Sequence, residues 1–428
     1  MMHHKQKFVV FLLVTMLMMS CCATAVNAAH TTITFWYWSW GAAMDQAVQT
    51  VISLFEQDNP DIKVEAAPWN SIDKLMVNVV AGTAPDVIIT GGGHLPSLVP
   101  KGGLLPLDDF LANSPDIADA IVDPNWRIPS QMDGSIWYIP AVEWGPRDGL
   151  VYNKTFFAEA GLPPINPNVP PTWDVIAGYH KKLVRTNADG KIAQFGYLPY
   201  EGRNLDISFL EMTLDANPWN KEKQIIQVNT PAITAAYTFL YENFIAPWGY
   251  DAIQAGLGAA GWYMVANGKT AMANLGYYAP KNVDGKPWEF GYAWPPTLSG
   301  KRVTNLSGWG LALPPGKHPN EAWRFISFLI QSLEAQRIFF EHTGFFTASK
   351  KFFSSFRTDN EGYNWFINAV LTNEYVLPED GRPSYMYGLV GSTLGPVVSN
   401  VFTGQMSLVN FLEAAQLKIE VEVENLSR

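Results

Sequence analysis

The chain has only two cysteines in 428 residues, and both, Cys21 and Cys22, lie within its first thirty residues. With that segment set aside, no disulfide framework is possible, and no thiolate is left for a zinc site or a nucleophile. The seven histidines are scattered, three of them at or before residue 30, without metal-ligand spacing. No nucleophile elbow, zinc-protease helix motif or P-loop occurs. Positive charge is short as well. The formal net charge of −10 argues against nucleic acid or an anionic membrane surface as the main partner. Charged residues make up 16% against 48% hydrophobic, which is a globular composition and not a disordered one. Beyond residue 30 no apolar run reaches membrane-spanning length.

The first thirty residues read as an export signal. His3, His4, Lys5 and Lys7 form a polar, basic start, and residues 8–19 form an apolar run too short for a stable anchor. Small residues follow at Ala23-Thr24-Ala25 and around Val26-Asn27-Ala28, while Met19-Ser20-Cys21 loosely resembles a lipoprotein cleavage box. The expectation is a signal peptide over 1–29. The mature chain is then periplasmic or extracellular, either free or tethered by one lipid at the outer face of the membrane.

What the chain has in quantity is aromatic side chains, with 16 Trp and 17 Tyr. Rings with a polar tip suit ligands that present apolar faces and hydroxyl edges, as sugars do. The stretch Ile33-Thr34-Phe35-Trp36-Tyr37-Trp38-Ser39-Trp40-Gly41 concentrates them. It opens as a buried strand, in which Trp36 is a core candidate. Trp38 and Trp40 fall where the strand ends and are placed to line a crevice. Helices are expected over 45–57, 71–81, 173–184, 231–244, 320–330, 333–341 and 408–425. Strands are expected over 33–37, 62–66, 86–90, 137–139, 150–152, 195–198 and 270–275. Ser71 and Thr172 read as helix caps. The early strand–helix alternation implies a parallel sheet in an α/β domain, and the length implies two or three domains.

Two patterns invite enzymatic readings. Gly256, Gly258 and Gly261 spell G-x-G-x-x-G, but the residues before them carry no β-branched run beyond Ile253, so the strand that a dinucleotide site needs is missing. Glu143, Asp148, Asp206 and Glu211 include enough carboxylates for a glycosidase pair. Gly91-Gly92-Gly93 leads into a helix, where it offers either an anion site or a close backbone approach.

A series of blocks, in order, resembles the bacterial extracellular solute-binding proteins of the maltose-binding-like group, which serve ABC importers. The blocks include Ile33-Thr34-Phe35-Trp36, Asn59-Pro60-Asp61-Ile62-Lys63-Val64, Gly82-Thr83-Ala84-Pro85-Asp86-Val87 and Gly103-Leu104-Leu105-Pro106-Leu107. Further along come Tyr152-Asn153-Lys154, Ala160-Gly161-Leu162, Asn267-Gly268-Lys269-Thr270-Ala271-Met272, Gly308-Trp309-Gly310 and Glu321-Ala322-Trp323-Arg324-Phe325. The resemblance implies a two-lobe periplasmic-binding-protein-like α/β fold with discontinuous lobes and a multi-crossing hinge. The N-terminal lobe would be 30–143 with 306–350, and the C-terminal lobe 144–305 with 351–428. Crossings are expected near 143–148, 305–310 and 345–351. The implied function is capture of a sugar or oligosaccharide for an ABC permease by a monomer that is not an enzyme, with no cofactor and no metal.

The resemblance also proposes ligand-binding positions. Glu143 matches a sugar-contacting carboxylate, and Trp38 and Trp40 match a ligand-touching loop. Tyr277 and Tyr278 match a stacking position, Trp309 and Gly308 the returning hinge, Tyr200 a loop aromatic, and His94 a post-strand contact. Trp69, Trp144, Arg147, Trp262 and Arg382 complete the set. One rival keeps the fold and binds a glycerol-3-phosphate-type ester through Arg147, Arg203 and Arg382. The other is a secreted glycosidase.

Overall fold

Side-chain alternation sets the first strand. The computed structural model describes residues 30–69, 71–201, 205–258 and 263–426; the expected signal segment, Arg203, Gly261 and Trp262 lie outside them. Strand β1 (Thr31–Tyr37) turns Ile33, Phe35 and Tyr37 inward, each no more than 3% exposed. Trp36 faces the other way. It is half-buried, with the Lys74 ammonium 5.2 Å from its ring centroid, so it is a covered flank and not a core residue. The residues of one strand face cannot all join the same core when the opposite face is only partly covered.

In chain order the remaining strands of the two large sheets are β2 (Ile62–Pro68), β3 (Val87–Thr90), β4 (Ile139–Pro146), β5 (Gly149–Asn153), β6 (Arg185–Thr186), β7 (Ile192–Tyr197), β8 (Thr270–Leu275), β9 (Phe290–Ala293) and β10 (Leu306–Ala312). The first sheet has the order β2-β1-β3-β10-β4 and the second β9-β5-β8-β7-β6. β1, β2 and β3 pair in parallel, as the strand–helix alternation requires, and helices Ala42–Asp58 and Ile72–Val80 make the crossovers. The helix Ala42–Asp58 buries Ala47, Val48, Val51, Ile52 and Phe55, the apolar positions that mark it in the sequence. Ser71 caps the second helix by accepting from the Lys74 amide at 3.3 Å.

The sheets depart from the expected parallel arrangement where the chain comes back. β10 enters the first sheet from the other lobe and so runs antiparallel to both β3 and β4. β4 is also longer than the 137–139 strand expected, because β10 pairs with it as far as Pro146. All eight of its residues are buried. Each sheet has its own apolar core. A third cluster, around Phe340, Phe346, Phe352 and Phe366, packs with β8 residues Ala273 and Leu275.

Three connections join the lobes. The first runs from Pro146 to Gly149 between β4 and β5. The second leads from β9 into β10, where the Arg147 amide donates to the Asn305 carbonyl at 2.9 Å. In the third, the Trp144 amide donates to the Phe346 carbonyl at 2.9 Å and the Ala348 amide to the Ala141 carbonyl at 3.0 Å. Asp148 ties the first two together. Its carboxylate accepts from the Asn274 amide side chain at 2.9 Å and from the Asn305 backbone at 3.2 Å.

The segment ahead of the glycine pattern is the helix Tyr250–Leu257, and Gly258 is its cap with φ of 83°. A helix in place of a strand removes the dinucleotide reading. The helices Ile207–Leu214 and Met386–Leu394 were not expected. The first is buried nearly all round and so shows no amphipathic period, and the second carries Gly388 and Gly391.

Glu201 is fully buried in the second lobe, where it accepts from Thr270 Oγ1 at 2.6 Å and the Val265 amide at 3.0 Å. Burial pushes its carboxyl up to about 7, against the opposing pull of these hydrogen bonds. Between its ordinary carboxylate range and pH 7 the folded protein therefore holds a proton that the unfolded chain has lost. Its stabilising contribution is complete at low pH and fades as pH rises through 7. Urea midpoints at pH 5 and pH 8 should fall more for wild type than for Glu201→Gln.

Candidate binding cleft between the lobes

A β-bulge shapes the floor of the inter-lobe space. Gly308 pairs with Trp144 and Gly310 with Pro140, so Trp309 alone stands opposite Ala141, Val142 and Glu143. Bulges bend a strand and re-aim its side chains. Here the extra β4 residues turn toward the third crossing, where Val142 bridges Thr347. Glu143 takes a left-handed φ of 58°. A Cβ on Gly308 would lie 1.8 Å from the Glu143 carbonyl oxygen, so only glycine fits there.

Trp309 thereby joins an aromatic wall. Its ring centroid is 5.4 Å from Trp38, 6.0 Å from Trp40 and 5.4 Å from the His94 ring. Trp69, 3% exposed, supports Trp38 at 5.3 Å, and Phe345 meets Trp40 edge-on at 5.4 Å. His94 Nδ1 and Thr90 Oγ1 are 3.1 Å apart. Burial holds the His94 imidazole below its ordinary pKa, so the wall carries no charge at neutral pH.

The cleft has a volume of about 630 Å³ and is lined from both lobes. Gly91 to His94, Pro129, Tyr138, Trp144, Gly308 and Trp309 face it from the first lobe, and Arg147 from the hinge. The second lobe contributes Asp206, Ser208, Ser384, Tyr387, Gly388 and Ser392, most of them on or beside the helix Met386–Leu394. The lobes meet backbone to backbone across it. A Cβ on Gly388 would stand 3.8 Å from the Gly93 Cα, and Gly92 is pressed against the Pro129 carbonyl. The glycine triplet thus serves close approach. The helical stretch it opens begins with the tight turn Gly92–His94 and runs on through Leu95–Leu98 and Val99–Lys101.

Five of the sequence candidates line this cleft: His94, Trp144, Arg147, Gly308 and Trp309. Trp38, Trp40 and Trp69 back the wall. The others stand elsewhere. The structure gives Glu143 a different partner from a sugar hydroxyl, since Arg147 grips both its oxygens at 2.8 and 2.6 Å and the Tyr277 hydroxyl donates to Oε1 at 2.8 Å. Tyr277 is fully buried and stacks on Phe346 at 4.6 Å, which leaves no ring face for a ligand. Tyr278 is half-buried beside it, edge-on to Tyr263. Tyr200 packs with Tyr250 and Phe402 and accepts from the Gln254 side chain at 3.0 Å. Arg382 has a side chain 1% exposed, behind Tyr387. Trp262 lies outside the described residues. The second-lobe wall was missed, although Ser384, Gly388 and Ser392 recur at one-turn spacing, a readable sign of a close-packed helix face.

The charges are largely consumed within the protein. Arg147 is paired with Glu143 and also donates through Nε to the Ser307 carbonyl at 3.0 Å. Glu211 is paired with Arg382, and Asp148 is hydrogen-bonded in the hinge. Among the described residues no group of three or more His, Cys, Asp or Glu is placed to hold a metal, and no helix is long and apolar enough to cross a membrane.

The family model for bacterial extracellular solute-binding proteins matches residues 38–332. The chain belongs to this family. Among solved structures it is similar to CpMnBP1 with mannobiose bound, at TM-score 0.72 and 19% identity, covering 91% of this chain and 100% of that one. It is also similar to the cyclic α-maltosyl-1,6-maltose binding protein of Arthrobacter globiformis, at TM-score 0.71 and 20% identity, covering 92% and 100%. At these identities the likeness establishes the two-lobe fold. A curated relative, the uncharacterized ABC transporter extracellular-binding protein of Pyrococcus horikoshii, is 27% identical over 139 residues, 32% of this chain and 30% of that one. The curated relatives are matched over about a third of their length.

Proposed function

We propose that this solute-binding protein captures a neutral sugar or oligosaccharide between its lobes and delivers it to an ABC permease. The observation that carries this reading is the asymmetry of the cleft. One wall is an uncharged aromatic surface centred on Trp309, and the other carries the hydroxyls and glycines of the helix Met386–Leu394 with the Asp206 carboxylate beside them. A sugar ring presents an apolar face to the first and hydroxyl edges to the second. Saccharides are bound in the structural relatives, mannobiose in one and maltotriose in the maltodextrin-binding domain from Bdellovibrio bacteriovorus.

The phosphate-ester reading requires free cations in the cleft. Arg147 and Arg382 are both committed to carboxylates, and Arg203 lies outside the described residues. A glycosidase requires a pair of carboxylates facing each other across the site. Of the four acids considered, Asp206 alone lines the cleft. Both facts favour binding of a neutral ligand without chemistry. The first lobe is assigned to 30–146 with 306–350, its boundary moved from the expected 143 to the end of β4, and the second to 147–305 with 351–426, in a monomer on the outer side of the cytoplasmic membrane.

A thermal-shift panel of neutral saccharides, polyols and glycerol phosphate esters tests the assignment. A saccharide at a hundred times its dissociation constant should add about 2.7 kcal/mol of stability. A shift with phosphate esters and none with saccharides would reverse it.

A further inference from the structure

Every nitrogen of the Arg382 guanidinium is occupied. Nε and Nη2 donate to the Asp380 carboxylate at 2.9 and 2.8 Å, and Nη1 donates to Glu211 at 3.0 Å and to the Tyr387 hydroxyl. The Tyr387 hydroxyl in turn donates to Glu211 Oε2 at 2.7 Å. The three charged side chains are 1%, 9% and 7% exposed. One cation against two carboxylates leaves a buried net negative charge. Such clusters contribute little net stability, and their best-attested use is to specify a geometry.

The geometry specified here is that of the second-lobe wall. Tyr387 lines the cleft, and Ser384 lines both the cleft and an adjoining inter-lobe groove of about 490 Å³. The Asp380 carbonyl is anchored in turn by the Trp219 indole at 3.1 Å and the Gln224 side chain at 3.2 Å. We infer that Arg382 is a positioning residue of the binding site: through Glu211 and Asp380 it clamps Tyr387 and the rim at 380–384 into the form that walls the cleft. This rests on the reading of the cleft as the ligand site. The hydrogen of the Tyr387 hydroxyl is already given to Glu211. Tyr387 therefore offers a ligand its ring and no hydrogen-bond donor, which makes it an apolar contact on the second-lobe side of the cleft.

Nitration by tetranitromethane, mapped by peptide mass spectrometry without ligand, tests the clamp in wild type, Glu211→Gln and Arg382→Lys. Tyr387 should be modified about fivefold faster or more in each variant, because losing the clamp raises the population of open side-chain states. Tyr277 should stay protected in all three and so report an intact fold. Equal Tyr387 rates with Tyr277 protected in either variant would overturn the inference. Calorimetry with the best saccharide of the panel adds a coupling test. Glu211→Gln and Tyr387→Phe should each weaken binding about tenfold, and the double variant no further, since both break one unit. Additive losses would contradict the clamp. If wild type binds no saccharide, the sugar reading falls while the nitration result still decides the positioning role.

Discussion

Glu143→Gln is expected to lower the free energy of unfolding by about 3–5 kcal/mol, the usual cost of leaving one member of a buried ion pair without its partner. Glu143 and Arg147 expose 6% and 12% of their side chains, and the pair is bidentate. The amide keeps the shape and one acceptor but turns an NH₂ toward a guanidinium that cannot give up its charge. The damage falls on the hinge, because Arg147 also holds the Ser307 carbonyl of β10 and Tyr277 of the second lobe donates to Glu143. Urea unfolding of the ligand-free protein reads the effect directly. A variant of normal stability that has lost most of its saccharide affinity would instead restore Glu143 as a direct ligand contact.

Trp309→Ala is expected to weaken saccharide binding by roughly 1–3 kcal/mol, the scale of a large aromatic contact. Trp309 is the one member of the wall that both lines the cleft and touches Trp38, Trp40 and His94. Its loss removes a contact surface and also the support that keeps Trp38 in place. Trp38→Ala should therefore act in the same direction, and the double variant should lose less than the sum, because neighbours that share a packing unit are not additive. Titration calorimetry on the three variants measures this. Unchanged affinity in Trp309→Ala with a normal melting curve would make the wall structural.

The parts of the fold that follow local rules were legible in the sequence. Apolar spacing marked the helix Ala42–Asp58, and Ser71 and Thr172 accept the amide bonds expected of caps, the latter from Val175 at 3.3 Å. What escaped was long-range. The extension of β4 to Pro146 depends on β10, more than 150 residues away, and the helix Ile207–Leu214 is buried too completely to show a period. At the site, the Trp-rich strand end pointed to the aromatic wall because large aromatics cluster where strands open into a crevice. Glu143, Tyr277 and Arg382, which the resemblance proposed and not the strand-end pattern, have partners within the protein. A sequence shows that a polar or aromatic group sits near the cleft but not which neighbour has already satisfied it. Glu143 is gripped by Arg147 and Tyr277 stacks on Phe346, while Arg382 pairs with the distant Glu211 as well as with Asp380 two residues away.

The two lobes should close over a bound sugar, which small-angle scattering of the wild-type protein with and without a saturating saccharide reads out. Gly93 and Gly388 face each other across the cleft at near-contact distance, so the bound form should be compact and the ligand-free form more open. The radius of gyration should be smaller with the sugar than without. Identical scattering profiles at proven saturation would contradict it.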